Sequence, residues 1–161
     1  SGASNEVIQL FLDCDPDNEL IFQKDAEGYL PIHTAIKEGA SLEVIQLLLD
    51  HDQGNKIIHK AGGSLAGCRL DNYPLHHACQ FGAPREVIEF LLDCDPDNKL
   101  IFEKNALGLL PIHLACQKGT SVAVIKLLLD RDVENKTIFE VDNRRKNYPI
   151  HCACQFGASD E

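Results

Sequence analysis

Three stretches of the chain repeat one hydrophobic pattern. Val44, Ile45, Leu47, Leu48 and Leu49 recur as Val87, Ile88, Phe90, Leu91 and Leu92, and again as Val124, Ile125, Leu127, Leu128 and Leu129. Each set marks one broad apolar face of a helix with polar residues on the other side. So wide a face needs neighbours on several sides. Each buried member contributes roughly 1.5 to 3 kcal/mol, and only if another element covers it. Before each stripe comes a shorter helical segment, opened by an apolar-Pro-apolar-His tetrapeptide and closed by Gly39, Gly82 or Gly119. Proline suits the first helical position and glycine the residue after the last.

The tetrapeptide occurs as Leu30-Pro31-Ile32-His33, Tyr73-Pro74-Leu75-His76, Leu110-Pro111-Ile112-His113 and Tyr148-Pro149-Ile150-His151, with prolines 43, 37 and 38 residues apart. A second periodicity lies above it, because Glu6 to Lys56 matches Glu86 to Lys136 at a constant offset of 80. Periods of this size predict a stacked repeat architecture, in which each unit buries its apolar face against the next. Ser41 and Ser121 are expected N-caps of the second helix, and Pro84 starts its copy by fixing φ. After that helix comes an acidic, Asn-rich stretch and a β-prone triplet, Leu20-Ile21-Phe22, Leu100-Ile101-Phe102 or Thr137-Ile138-Phe139, with Lys56-Ile57-Ile58 as the divergent copy. Asp25 to Gly28 and Asn105 to Gly108 have the residues of a type I turn. The second unit carries extra residues between Ala61 and Gly67, which read as tolerated slack rather than a contact loop.

Turn with glycine, apolar-Pro-apolar-His, short helix, glycine and Glu-Val-Ile-x-x-Leu-Leu resemble the ankyrin repeat, and the resemblance covers the whole chain. It implies an all-α ankyrin-repeat α-solenoid of stacked helix-turn-helix units with hairpin-like loops. The chain then divides into a terminal half unit over 1–24, repeats over 25–67, 68–104 and 105–142, and a half unit over 143–161. Three departures accompany the match. Leu30, Tyr73, Leu110 and Tyr148 replace the family's threonine, so its hydroxyl cannot bond the imidazole. The units are longer than the usual 33 residues, and Asp-rich sequence such as Asp50-His51-Asp52 stands where Gly-Ala-Asp is usual.

The resemblance also implies protein binding through a concave face of inner helices and loop tips. On that face the expected contact residues are Tyr29, Lys37, Arg69, Phe81, Leu107, Leu109, Lys118, Arg144, Arg145 and Phe156. Tyr29, Phe81, Phe156 and the three arginines are the preferred anchors, since interface hot spots favour aromatic and Arg side chains. For Phe81 and Phe156 a packing role weighs equally, because both lie in the duplicated Cys-Gln-Phe-Gly-Ala segment.

Charge narrows the partner. Fifteen Lys and Arg against 25 Asp and Glu leave a formal charge of -10, which disfavours nucleic acid and anionic lipid. No apolar run has the roughly 18 residues needed to span a bilayer. The expected partner is another protein. No cofactor is expected, and no nucleophile-base pair, phosphate loop or carboxylate pair of an enzyme is recognisable.

Two constellations tempt a metal reading. Asp13-x-Asp15-x-Asp17 has the first spacings of a calcium loop, but Asn18 and Lys24 replace its glycine and bidentate glutamate, so it reads as a solvated helix-terminating loop. His76/Cys79, His113/Cys116 and His151/Cys154 are spaced like zinc ligands, yet the repeat itself explains the spacing and no further ligands are evident. Cys79, Cys116 and Cys154 are expected at small core positions. Seven cysteines without framework spacing suggest reduced thiols and an intracellular, cytoplasmic protein. Ser1-Gly2 and the absence of methionine suggest a piece of a longer chain. Since neither end carries a polar cap, the alternative role is a self-assembling array, the first half unit docking on the last half unit of another copy.

Overall fold

The computed structural model describes residues 5–65 and 68–156, with the side chains of 64–69 outside the description. Eight α-helices occur among the described residues. An inner row is formed by α2 (Pro31–Lys37), α4 (Pro74–Phe81), α6 (Pro111–Lys118) and α8 (Pro149–Phe156). An outer row comprises α1 (Asn5–Asp13), α3 (Leu42–Asp50), α5 (Arg85–Asp93) and α7 (Val122–Arg131). Within a row each helix packs on the next, and α2, α4 and α6 also pack on their own outer helices α3, α5 and α7. The core is therefore a continuous seam between rows, carrying Ile32, Ile45, Leu75, Ile88, Leu91, Leu110 and Leu128.

Every inner helix opens on the proline of its tetrapeptide, after a residue held extended, as at Leu30, Tyr73 and Leu110. Gly82 and Gly119 take the left-handed cap that ends α4 and α6. Ser41, Pro84 and Ser121 occupy the N-cap of the outer helices, but neither serine side chain caps a backbone N–H.

The β-prone triplets are not strands. Leu20–Phe22, Ile57–His59, Leu100–Phe102 and Thr137–Phe139 each form a single 3-10 turn. The cause lies five residues upstream, in a device the sequence repeats four times as Asp15-x-x-Asn18, Asp52-x-x-Asn55, Asp95-x-x-Asn98 and Asp132-x-x-Asn135. The asparagine stands at left-handed φ, 51 to 54°, and reverses the chain. The aspartate then accepts the first N–H of the triplet, from Leu20 at 2.7 Å and from Ile57, Leu100 and Thr137 at 2.6 Å. With that donor satisfied and no strand alongside, β propensity has nothing to pair with. Asp52, Asp95 and Asp132 are buried, whereas in the first loop Asp13 and Asp17 are exposed as expected and Asp15 between them is half-buried. Burial opposes ionisation of Asp132, but hydrogen bonds from Thr137 outweigh it and hold its carboxyl below the usual range.

Two aspartates of one stretch should therefore behave differently. Asp95→Ala strands the buried Leu100 N–H and is expected to cost about 1 to 3 kcal/mol. Asp97→Ala removes only an exposed pair with Lys99, so its thermal midpoint should match the parent. Parallel thermal melts of the two variants check this.

Of the insertion between Ala61 and Gly67, Ala66 and Gly67 lie outside the described residues, and the rest is built, not slack. Gly62–Leu65 (β1) and Cys68–Asn72 (β2) pair antiparallel, with a register irregularity between Gly62 and Ser64. This hairpin lies over the first unit: Gly63 N–H donates to Gly28 O at 3.0 Å.

Candidate partner-binding surface

Loop tips and the ends of the inner helices share one edge of the array. The turns Asp25–Gly28 and Asn105–Gly108 close through N–H to O bonds of 3.0 and 2.9 Å. Asp25 Oδ1 accepts from Glu27 N and Tyr29 N, and Asn105 Oδ1 from Leu107 N and Leu109 N, so each first side chain clamps its own turn. Neighbouring tips are then laced by one backbone bond each: Gly63 N to Gly28 O, Ala106 N to Leu70 O and Asn143 N to Leu107 O. Asn105 Nδ2 donates to Asn72 Oδ1, and Asn72 Nδ2 to Gln80 Oε1, tying tips to an inner helix. The edge is a preorganised ribbon.

The motif histidines hold that ribbon to the helices. Leu30 N–H donates to His33 Nδ1 and Leu110 N–H to His113 Nδ1, both at 3.1 Å. The backbone thus supplies the donor that the missing threonine hydroxyl would have given. Because Nδ1 accepts, the proton sits on Nε2, which donates to Lys60 O from His33 at 3.0 Å and to Glu140 O from His113 at 3.2 Å. His76 Nε2 lies 2.9 Å from Leu109 O. Burial lowers all three, His33 to about 3 and His76 to about 4. They are neutral struts at neutral pH.

The expected contact residues fall into two groups. Tyr29 is buried, with edge-on contacts to His33 and His77, and Lys37 Nζ stands 4.8 Å above its ring. Phe81 is half-buried and stacks on His77 at 5.7 Å. Tyr29 is thus packing rather than a surface anchor, and Phe81 and Lys37 serve the same cluster. Arg69 has its side chain outside the described residues. Lys118 is exposed beside Gly82.

The second group converges. Leu107, Leu109, Arg144, Arg145 and Phe156, with Gln117, line a groove of about 240 Å³ between the last two tips and the ends of α6 and α8. Leu109 is buried and forms its floor, while both arginines and Phe156 are exposed on its walls. Asp142 is also present, but its carboxylate accepts from Arg144 N, Arg145 N and Asn147 N. Burial works against its charge and these three bonds prevail, keeping its carboxyl low. The carboxylate is committed to its own loop, and Arg144 and Arg145 beside it line the groove.

A model of the ankyrin repeat, in three copies, matches residues 1–100 and 75–160. The chain belongs to the ankyrin-repeat family. The curated proteins hold no match to it. Ankyrin repeats generally serve as protein-protein interaction modules and non-catalytic scaffolds. Burial pushes the Cys79 thiol far up and the Cys116 thiol to about 11, so neither is a thiolate at neutral pH. Cys79 is fully buried, Cys116 half-buried and Cys154 exposed, so the expected core position does not hold for Cys154, the equivalent residue of α8. Among the described residues no three His, Cys, Asp or Glu side chains converge as a ligand set, and no helix is long and apolar enough to cross a membrane.

Proposed function

We propose that this ankyrin array binds a segment of another protein in the groove between its last two tips, with Arg144 and Arg145 pairing a carboxylate and Leu107, Leu109 and Phe156 taking an apolar side chain. The observation that supports the reading is the pair of exposed arginines lining one groove with Leu107, Leu109 and Phe156, on an edge whose backbone is already fixed by hydrogen bonds. Preorganisation lowers the ordering cost of binding, and Arg offers planar bidentate pairing with carboxylates. The six described cysteines are unpaired, which suits a reducing, intracellular setting.

Peptides selected from a random display library against the chain provide the probe. Binders enriched in Asp or Glu beside an apolar residue are expected, and Arg145→Ala should weaken them at least tenfold, about 1.5 kcal/mol. Asp130→Ala, on the outer row, should leave them unchanged. Equal affinity for the Arg145→Ala variant and its parent would refute the assignment.

A further inference from the structure

The second and third Asp-x-x-Asn loops are joined by two contacts. Asn55 Nδ2 donates to Cys94 O at 2.9 Å, and His59 Nε2, at the end of its 3-10 turn, stands 3.8 Å from Asp95 Oδ1. Asp95 Oδ2 already holds Leu100 N, so a basic ring serves the oxygen left over. Between the first and second loops the equivalent residues are Asn18, Phe22 and Asp52. A phenyl ring cannot donate to a carboxylate as imidazole does, and among the described residues neither contact has a counterpart there. Asp52 is 3% exposed; its Oδ2 accepts from Ile57 N, but its buried Oδ1 has no partner. A groove of about 280 Å³ lies at this junction, lined chiefly by Asp17, Phe22, His51, Asp52, Gln53 and Lys56.

A buried carboxylate oxygen without a donor is costly, and a cation arriving from outside recovers that cost. The surrounding charge favours one. Asp97 pairs with Lys99 and Glu134 with Lys136, but Glu19 stands where those lysines do, and Asp17, Glu19 and Asp50 are exposed with no ion pair among the described residues. Lys56 is the one opposing charge on the groove, and Gly54 stands where Asp97 and Glu134 would pair it. Binding sites for whole small molecules begin at roughly 300 Å³, so this groove suits a single side chain. Phe22, 36% exposed, offers it a ring, and Phe102 at the same position within the array is 41% exposed, so the exposure belongs to the position. A guanidinium can stack on such a ring while its N–H groups reach carboxylates, which an ammonium does less well. Phe102 and Asp132 repeat the pair at the third junction, where Asp132 Oδ1 again lacks a partner, but Arg131 with Asp93 and Lys104 with Glu140 already bridge those units.

We propose that the groove between the first two loops receives an arginine side chain from a basic segment of a partner protein, its guanidinium on the Phe22 ring and its N–H groups serving the Asp52 and Asp17 carboxylates. The arginine supplies at this junction what His59 supplies at the next. This site shares no residue with the groove at the last two tips, and neither assignment rests on the other.

NMR titration of the isotope-labelled chain with blocked Gly-Arg-Gly, Gly-Lys-Gly and Gly-citrulline-Gly peptides tests this; citrulline keeps the shape of arginine without its charge. The arginine peptide should give saturable shifts centred on the amides of Asn18, Phe22, Asp52 and Gln53, the lysine peptide weaker ones, and the citrulline peptide none. Phe22→His installs the imidazole of the next junction and should weaken the arginine peptide about tenfold. Lys56→Gln removes the opposing charge and should tighten it roughly two- to fivefold, a gain that misfolding cannot produce. Both side chains are exposed, and unchanged shifts elsewhere in the spectrum confirm that each variant keeps the fold. Shifts that never saturate, equal binding of the lysine peptide, or full affinity in Phe22→His overturns the proposal. So do shifts of the same amides with concentration in the chain alone, which would seat Arg144 or Arg145 of a second copy there.

Discussion

Gly63→Ala should lower the thermal midpoint by about 10 °C, a loss of roughly 2 to 5 kcal/mol for a chain of this size. Two costs combine. Gly63 stands at φ +89°, where an L side chain is strained by about 1 to 2 kcal/mol. Its added Cβ would also lie 2.0 Å from Tyr29 Cε1, on a buried ring in edge-on contact with His33 and His77 that would have to shift. Overpacking of a tight site typically adds 1 to 3 kcal/mol. Gly54 separates the two costs, because it has φ +90° with nothing within 4 Å of an added Cβ. Gly54→Ala should therefore lose only about 1 to 2 kcal/mol. Melting both variants beside the parent decides the matter, and equal losses would show that the hairpin does not press on the first unit.

Acidification should destabilise the array from about pH 6.5 downward, before most carboxylates protonate. Burial lowers His76 and His77 to about 4 and His33 to about 3. An unfolded histidine takes up its proton as pH falls through about 6.5. Between those limits the unfolded chain binds more protons, so stability falls as pH falls, by on the order of 2 to 3 kcal/mol per histidine. One effect opposes this: the charge of -10 shrinks on acidification and relieves self-repulsion. Exposed charges are screened and each is worth little, so the histidines dominate. Urea midpoints at pH 7, 5.5 and 4.5 should decline steadily. His77→Phe, which keeps a ring against Phe81, should shallow that decline. A midpoint constant down to pH 4.5 would contradict the neutral-strut role.

Much of this fold was legible because the repeat states its rules several times. Proline after an extended residue, histidine two positions later and glycine at the helix end each have one local cause, and the structure places all three as the spacing implies. What escaped depends on partners distant in sequence. The Leu20-Ile21-Phe22 class looked β-prone by composition, yet an aspartate five residues earlier takes its first N–H and bends it into a 3-10 turn. A signal was present: Asp-x-x-Asn stands at the same place in four units. Ala61 to Gly67 looked like slack because glycine permits flexibility, but glycine also permits close approach, and here it meets Tyr29. That contact is equally why Tyr29 fails as a surface anchor. Arg144, Arg145, Phe156 and Leu107 were found as variable positions of the unit, whereas their convergence on one groove follows from the bonds between tips, which no spacing encodes.

The most direct test of stacked units held only by their neighbours is native-state hydrogen exchange on the chain at low concentration. Amides of α4, α5 and α6, covered on both sides, should exchange slowest, those of α2 and α7 faster, and those of α1 and α8 fastest, since cooperative protection follows neighbour contact. Equal protection of α1, α8 and α4 would mean a single cooperative core and would contradict the stacked account.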